Sequence, residues 1–150
     1  MFLVSHSLDY RAQTIRGFLQ RHPSIALIVA AVYFEWTICR AIVALSSKPN
    51  SEVRKSLEQV YGLDYYRDLW WNELRNQVGV VRLPDIVDWG GVRRAFSERN
   101  RLSHGRTRHT RNMAQPHVEA LLAAVIDVNE YCRNRGIDLN KRLRVRKTER

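Results

Sequence analysis

The chain is poor in the residues that build turns. It holds 7 glycines and 4 prolines in 150 residues, too few for a β-rich fold full of tight turns. Cysteine is almost missing: Cys39 and Cys132 stand far apart with no Cys-x-x-Cys. They support neither a disulfide scaffold nor a zinc module and suit a reducing cytosol. The uncharged run from Ile25 to Phe34 is ten residues, about half of the roughly 20 that a membrane span needs. Glu35 and Arg40 would sit inside any longer span. The opening MFLVSHSLDY lacks the basic start and long apolar stretch of a signal peptide. The expectation is a cytoplasmic protein without a membrane partner.

Acid is also in short supply: 15 Asp and Glu face 25 Lys and Arg, a formal net charge of +10. The excess is not spread evenly. Residues 1–92 are close to neutral at a net +1, whereas residues 93–150 carry a net +9, mostly arginine. Such asymmetry points to a polyanionic partner, nucleic acid ahead of an anionic membrane surface.

What is present is helical pattern. With 45% hydrophobic and 27% charged residues, the composition is that of one ordinary globular domain. An amphipathic segment runs from Ser7 to Arg21, with Leu8, Ile15, Phe18 and Leu19 on its apolar side. Pro23 opens a second helix that ends near Ser47, since proline is well tolerated in a first turn. Its all-round apolar character predicts the central, buried position. Ser51 caps a short helix stopping at Gly62, and Asp64 caps another whose apolar period reaches Val78. Residues 79–91 read as a connection turning at Pro84-Asp85, with room for a strand of three or four residues. A further helix spans Asp88 to His104, with Gly105 as its left-handed terminator. Residues 105–115 form a basic loop, and Gln115-Pro116 begins the last long helix, which Gly136 stops. This predicts an all-α bundle of four or five packed helices over residues 1–136, followed by a basic tail, 137–150, with weak helical potential.

The sequence offers little conventional site chemistry. The histidines (His6, His22, His104, His109, His117) form no His-x-x-x-His or His-Glu-x-x-His pair, and no carboxylate cluster suits a two-metal nuclease. Phosphate loops and dinucleotide fingerprints are absent, so neither a metal nor a cofactor is expected. The tryptophans Trp36, Trp70, Trp71 and Trp89 read as core residues rather than base-stacking platforms.

One segment stands out, SERNRLSHGR from Ser97 to Arg106. The apolar stripe of its helix runs Val92, Ala95, Phe96, then position 99, then Leu102, and position 99 is arginine. A guanidinium on a buried stripe is costly unless it snorkels past the helix end, pairs with an acid or faces a wet cleft. Glu35, stranded in the most apolar helix, is the candidate partner, with Arg40 competing for it. His104 ends the same helix, where one side chain can reach both solvent and a ligand. Histidine moves protons near neutral pH, and arginine can hold a phosphate and stabilise developing charge. Together these types suffice for RNA cleavage by the 2′-hydroxyl, which needs a base, an acid and a cation but no metal.

Arg99-Asn100-Arg101-Leu102-Ser103-His104-Gly105 resembles the Arg-x(4–6)-His signature of the HEPN superfamily of helical ribonucleases and toxins, in which a polar residue, commonly Asn, follows the arginine. Phe34-Glu35-Trp36 looks like part of the second HEPN helix, where an acidic residue often occurs. Arg16…His22 and Arg111…His117 also satisfy the spacing, but only Arg99…His104 combines the asparagine, the buried-stripe arginine and the helix end. The resemblance implies an up-and-down HEPN-like bundle, a homodimer with two facing motifs, and metal-independent endoribonuclease activity as a toxin or defence effector. It assigns Arg99 to the scissile phosphate, His104 to proton transfer, Asn100 to orientation and Glu35 to positioning Arg99. RNA is the expected substrate, held also by Arg101, Arg106, Arg108 and Arg111, and an antitoxin or regulatory protein is an expected partner. Toxins of this kind that are silenced by nucleotide addition carry a tyrosine two residues after the motif histidine. Arg106 stands there, which argues against that control. The alternative is a non-catalytic HEPN-like module that binds RNA or protein. A DNA-binding regulator ranks below both, because no helix-turn-helix pair precedes the basic helix.

Overall fold

A computed structural model describes residues 7–106 and 108–148. His6 and the opening residues read above for a leader, position 107 of the basic loop and the last two residues of the tail lie outside the described residues. Six α-helices follow one another: α1 (Leu8–Arg21), α2 (Pro23–Leu45), α3 (Asn50–Leu57), α4 (Leu63–Leu74), α5 (Trp89–Ser103) and α6 (Arg111–Asn134), with a 3₁₀ turn at Leu83–Asp85 before α5. No strand occurs among the described residues. The described residues are all-helical, with six α-helices rather than four or five.

Local chemistry accounts for most of the boundaries. Ser7 accepts a hydrogen bond from the Tyr10 amide to cap α1, and Pro23 occupies the first turn of α2. The Asp88 side chain accepts from the Gly91 amide at the start of α5. Gly105 and Gly136, at φ +65° and +79°, take the left-handed conformation that closes α5 and α6. Two expected caps are displaced. Asn50 lies inside the first turn of α3, ahead of Ser51, and Gly62 rather than Asp64 precedes α4. Helix α4 also stops at Leu74, leaving Val78 95% exposed.

The largest departure concerns the basic loop. Helix α6 begins at Arg111, because the Thr110 side chain accepts from the Met113 amide and Ala114 is buried. Pro116 therefore sits within α6. It and Asn112 are exposed, so the one helical hydrogen bond that proline cannot make is lost on the solvent side. Arg111 and His117 thus share one helix instead of belonging to a loop and the helix that follows it.

Helices α2 and α6 make the most extensive contact, with α1 and α5 packed against both. Ile38, Ile42, Leu121 and Leu122 in this layer are essentially fully buried, each contributing about 1.5–3 kcal/mol relative to exposure. The α1–α6 contact is also bridged by Arg16, which donates to both oxygens of Glu119 at 2.9 and 3.0 Å. That exposed pair contributes less than about 1 kcal/mol. By length and composition α2 is apolar enough to cross a membrane, with mean hydropathy 1.8 over its most apolar 18 residues. Yet 56% of that window is buried by the other helices, which makes α2 the core helix. It is not buried on every side. Ile25, Ile28 and Val32 form a stripe that is 45, 38 and 44% exposed.

After Gly136 the described chain is not helical: it turns at Leu139 and Asn140 and then runs without regular structure. Leu139 is buried, and Arg40 of α2 donates to the Leu139 and Lys141 carbonyls at 2.9 and 2.8 Å. Further along, Asn50 pairs with this segment through both backbone and side chain, exchanging hydrogen bonds with Arg144 and Arg146. The Arg146 guanidinium donates to the carbonyls of Lys48 and Val43. The basic segment to position 148 is thus laid back along α2 and the start of α3.

Candidate active site

Arg99 occupies the inner stripe of α5, two turns after Val92, and its guanidinium lies 5.2 Å from the centre of the Phe96 ring. Its Nη2 donates to Glu35 Oε1 at 2.9 Å, and the two side chains are 25 and 24% exposed. Arg40 does not compete for Glu35. Its Nε and Nη2 donate to the carbonyls of Leu139 and Lys141, and its guanidinium lies 4.9 Å from the centre of the Trp36 ring. Nor is Arg99 saturated: its Nε is buried without a hydrogen-bond partner among the described residues. Such a donor costs free energy until an acceptor arrives.

Burial pushes the Glu35 carboxyl above its usual value, although the Arg99 guanidinium pulls it down. Tyr66 of α4 and Cys39 of α2 complete this neighbourhood. Burial raises both groups, with the Glu35 charge adding to the effect. Thiol and phenol therefore stay protonated near neutrality, and neither is a ready nucleophile.

His104 follows the last helical residue of α5. Its amide is held by the carbonyls of Asn100 and Leu102. The imidazole is exposed and, among the described residues, has no hydrogen-bond partner. Asn100 precedes it by one helical turn, on the same face. It is exposed as well and lines a shallow cavity of about 300 Å³ with Leu63, Asp64, Arg93, Phe96 and Ser97. Arg99 and His104 are five residues apart, a step of about 140° around a helix. They leave α5 from different faces, and Phe96 borders both the Arg99 guanidinium and the Asn100 cavity. One chain thus offers an anchored cation and a free imidazole at the same helix end without closing them around a common point.

The other arginines divide. Arg101 donates to Glu98 Oε1 at 3.1 Å, and Arg111, on α6, donates to Gln20 of α1 at 3.0 Å. Arg106 and Arg108 are exposed on the connection between α5 and α6.

A second histidine, passed over in the sequence except as a non-ligand, organises that connection. His109 is only 7% exposed. Its Nε2 lies 3.0 Å from Glu98 Oε2, and its amide donates to Ser24 Oγ at 3.4 Å. The His117 ring stands edge-on to it, with centres 6.5 Å apart. Glu98 therefore joins Arg101 on its own helix to His109 on the connection. Burial raises its carboxyl, but Arg101 and His109 outweigh this and hold it below the usual range. Nothing at position 109 betrays this, because the contacts come from α5 and from the start of α2. Among the described residues, no group of three or more His, Cys, Asp or Glu side chains is placed to hold a metal ion.

The chain matches no family model, no curated protein and no solved structure.

Proposed function

We propose that the protein is a homodimeric, metal-independent endoribonuclease of the HEPN type, acting as a toxin or defence effector. The observation that carries this reading is the Arg99 guanidinium, fixed by Glu35 with its Nε still unspent, at the helix end that presents an exposed Asn100 and His104. The guanidinium, a quarter exposed, is suited to a phosphate oxygen, and the exposed imidazole to proton transfer.

In the reaction the RNA 2′-oxygen bonds to the adjacent phosphorus as its proton passes to one His104. The bond from phosphorus to the 5′-oxygen breaks, and that oxygen takes a proton from His104 of a second copy. A 2′,3′-cyclic phosphate and a 5′-hydroxyl result. Arg99 stabilises the charge that builds on the phosphoryl oxygens. A second copy supplies the acid that one imidazole cannot be while it acts as base. The exposed Ile25, Ile28 and Val32 stripe supports such a pairing, because it lies on the face of α2 that continues at helical spacing to Glu35. Arg106 and Arg108, exposed beside the site, are suited to the RNA backbone.

The test is cleavage of RNA by purified protein in excess EDTA. Wild type should cleave, leaving cyclic phosphate ends, and His104→Ala should lose about 100-fold or more. Cleavage that needs magnesium, or that ignores the substitution, defeats the proposal. Salt-sensitive RNA binding with no cleavage would instead favour a non-catalytic module, the reading to which the unoriented His104 imidazole lends support.

A further inference from the structure

On another side of α2 from the Arg99 pair lies a cavity of about 400 Å³, between α1, the start of α3 and the returning C-terminal segment. Its charged and aromatic lining is Arg11, Trp36, Arg40, Arg54, Lys141 and Arg142, with no aspartate or glutamate. Five cations around one concavity repel one another; burial lowers the proton affinity of the Arg40 guanidinium, and Arg11 and Arg54 lower it further.

Arg11 is the decisive residue. It is 2% exposed, yet no carboxylate among the described residues pairs with it. Its Nη1 donates to Asn140 Oδ1 at 3.1 Å, its guanidinium lies 4.9 Å from the Trp36 ring centre and 5.6 Å from that of Tyr33, and its Nε has no partner among the described residues. Ring faces and one amide oxygen offset only part of the cost of burying a charge. Asp138, whose Oδ1 accepts from the Asn140 amide at 2.9 Å, forms no ion pair with Arg11. Among the described residues no anion offsets the rest.

We propose that this cavity binds a small phosphorylated ligand through its phosphate groups, with Arg11 as the buried anchor and Arg40, Arg54, Lys141 and Arg142 closing around the charge. Planar guanidinium forks match phosphate oxygens two at a time, and the volume is that of a small-molecule site. The phosphates are the recognised part, because Arg11 and Arg40 already occupy the faces of Trp36 at 4.9 Å each. A stacking base would have to displace one of them. The site is separate from His104, so it stands whether or not the chain cleaves RNA.

Isothermal titration of the full chain with inorganic pyrophosphate, at a constant ionic strength of about 0.15 M, tests this. One site per chain is expected, weakened about tenfold or more by Arg40→Gln and by Arg54→Gln, the loss of one charge-assisted contact in each case. His104→Ala should bind as wild type does. Arg54 is exposed, so its variant keeps the test decisive even if changes at Arg11 or Arg40 disturb folding. Binding that is equal in all variants, or absent in wild type, overturns the proposal. So does a result in which both substitutions weaken a 5′-phosphorylated RNA oligonucleotide while pyrophosphate neither binds nor competes, which would make the cavity a stretch of RNA track.

Discussion

Arg99 and Glu35 lie 64 positions apart in the chain and meet at 2.9 Å between α5 and α2. The pair is half of a balance. It relieves the charge of an arginine on a buried stripe, and it leaves that arginine one donor short.

Removing the partner should therefore be felt twice. Glu35→Ala leaves Arg99 without its acceptor and should cost about 1.5–3 kcal/mol in urea denaturation. On the ribonuclease reading it also lowers kcat, since Arg99 is no longer held. Glu35→Gln retains an oxygen and should recover part of both. Equal stability of wild type and Glu35→Ala would show that the pair does not matter to the fold.

The Glu98–His109 contact predicts an acid limb. A carboxylate held below its ordinary value contributes stability above about pH 4.3, which is lost as pH falls through its lower folded value. The melting temperature of wild type should fall faster than that of Glu98→Gln as pH drops from about 5 to 3. Parallel curves would remove Glu98 from the account.

The exposed stripe of α2 predicts the assembly state. Val32→Arg places a charge in the middle of the Ile25–Ile28–Val32 face and should convert a dimer to a monomer in light scattering, with the helical circular dichroism unchanged. On the proposed mechanism RNA cleavage disappears with the dimer. A wild-type chain that is monomeric at all concentrations would refute the two-histidine scheme.

The sequence announced most of the helices because their boundaries are local events: Asp88 over Gly91, proline in the first turn of α2, glycine at the ends of α5 and α6. Arg99 was legible for the same reason, as a charge out of place on an apolar period, and Glu35 followed as the nearest stranded acid. Arg11 carries the same signal. It sits at helical spacing between Leu8 and Ile15, on the apolar side of α1, and it is the more deeply buried of the two arginines. The start of α6 was misplaced because Pro116 outweighed the Thr110 cap in a reading by residue type. The Glu98–His109 contact and the docking of residues 139–146 on Asn50 and Arg40 had no local trace. They depend on where separate elements come to rest.

Glu35 and Trp36 are consecutive on α2, about 100° apart around its axis. One touches Arg99, and the other is clasped by Arg11 and Arg40. The helix is thus a common axle for two arginine-lined places on different sides of the molecule. Any twist of α2 that reseats the tryptophan must carry the carboxylate with it.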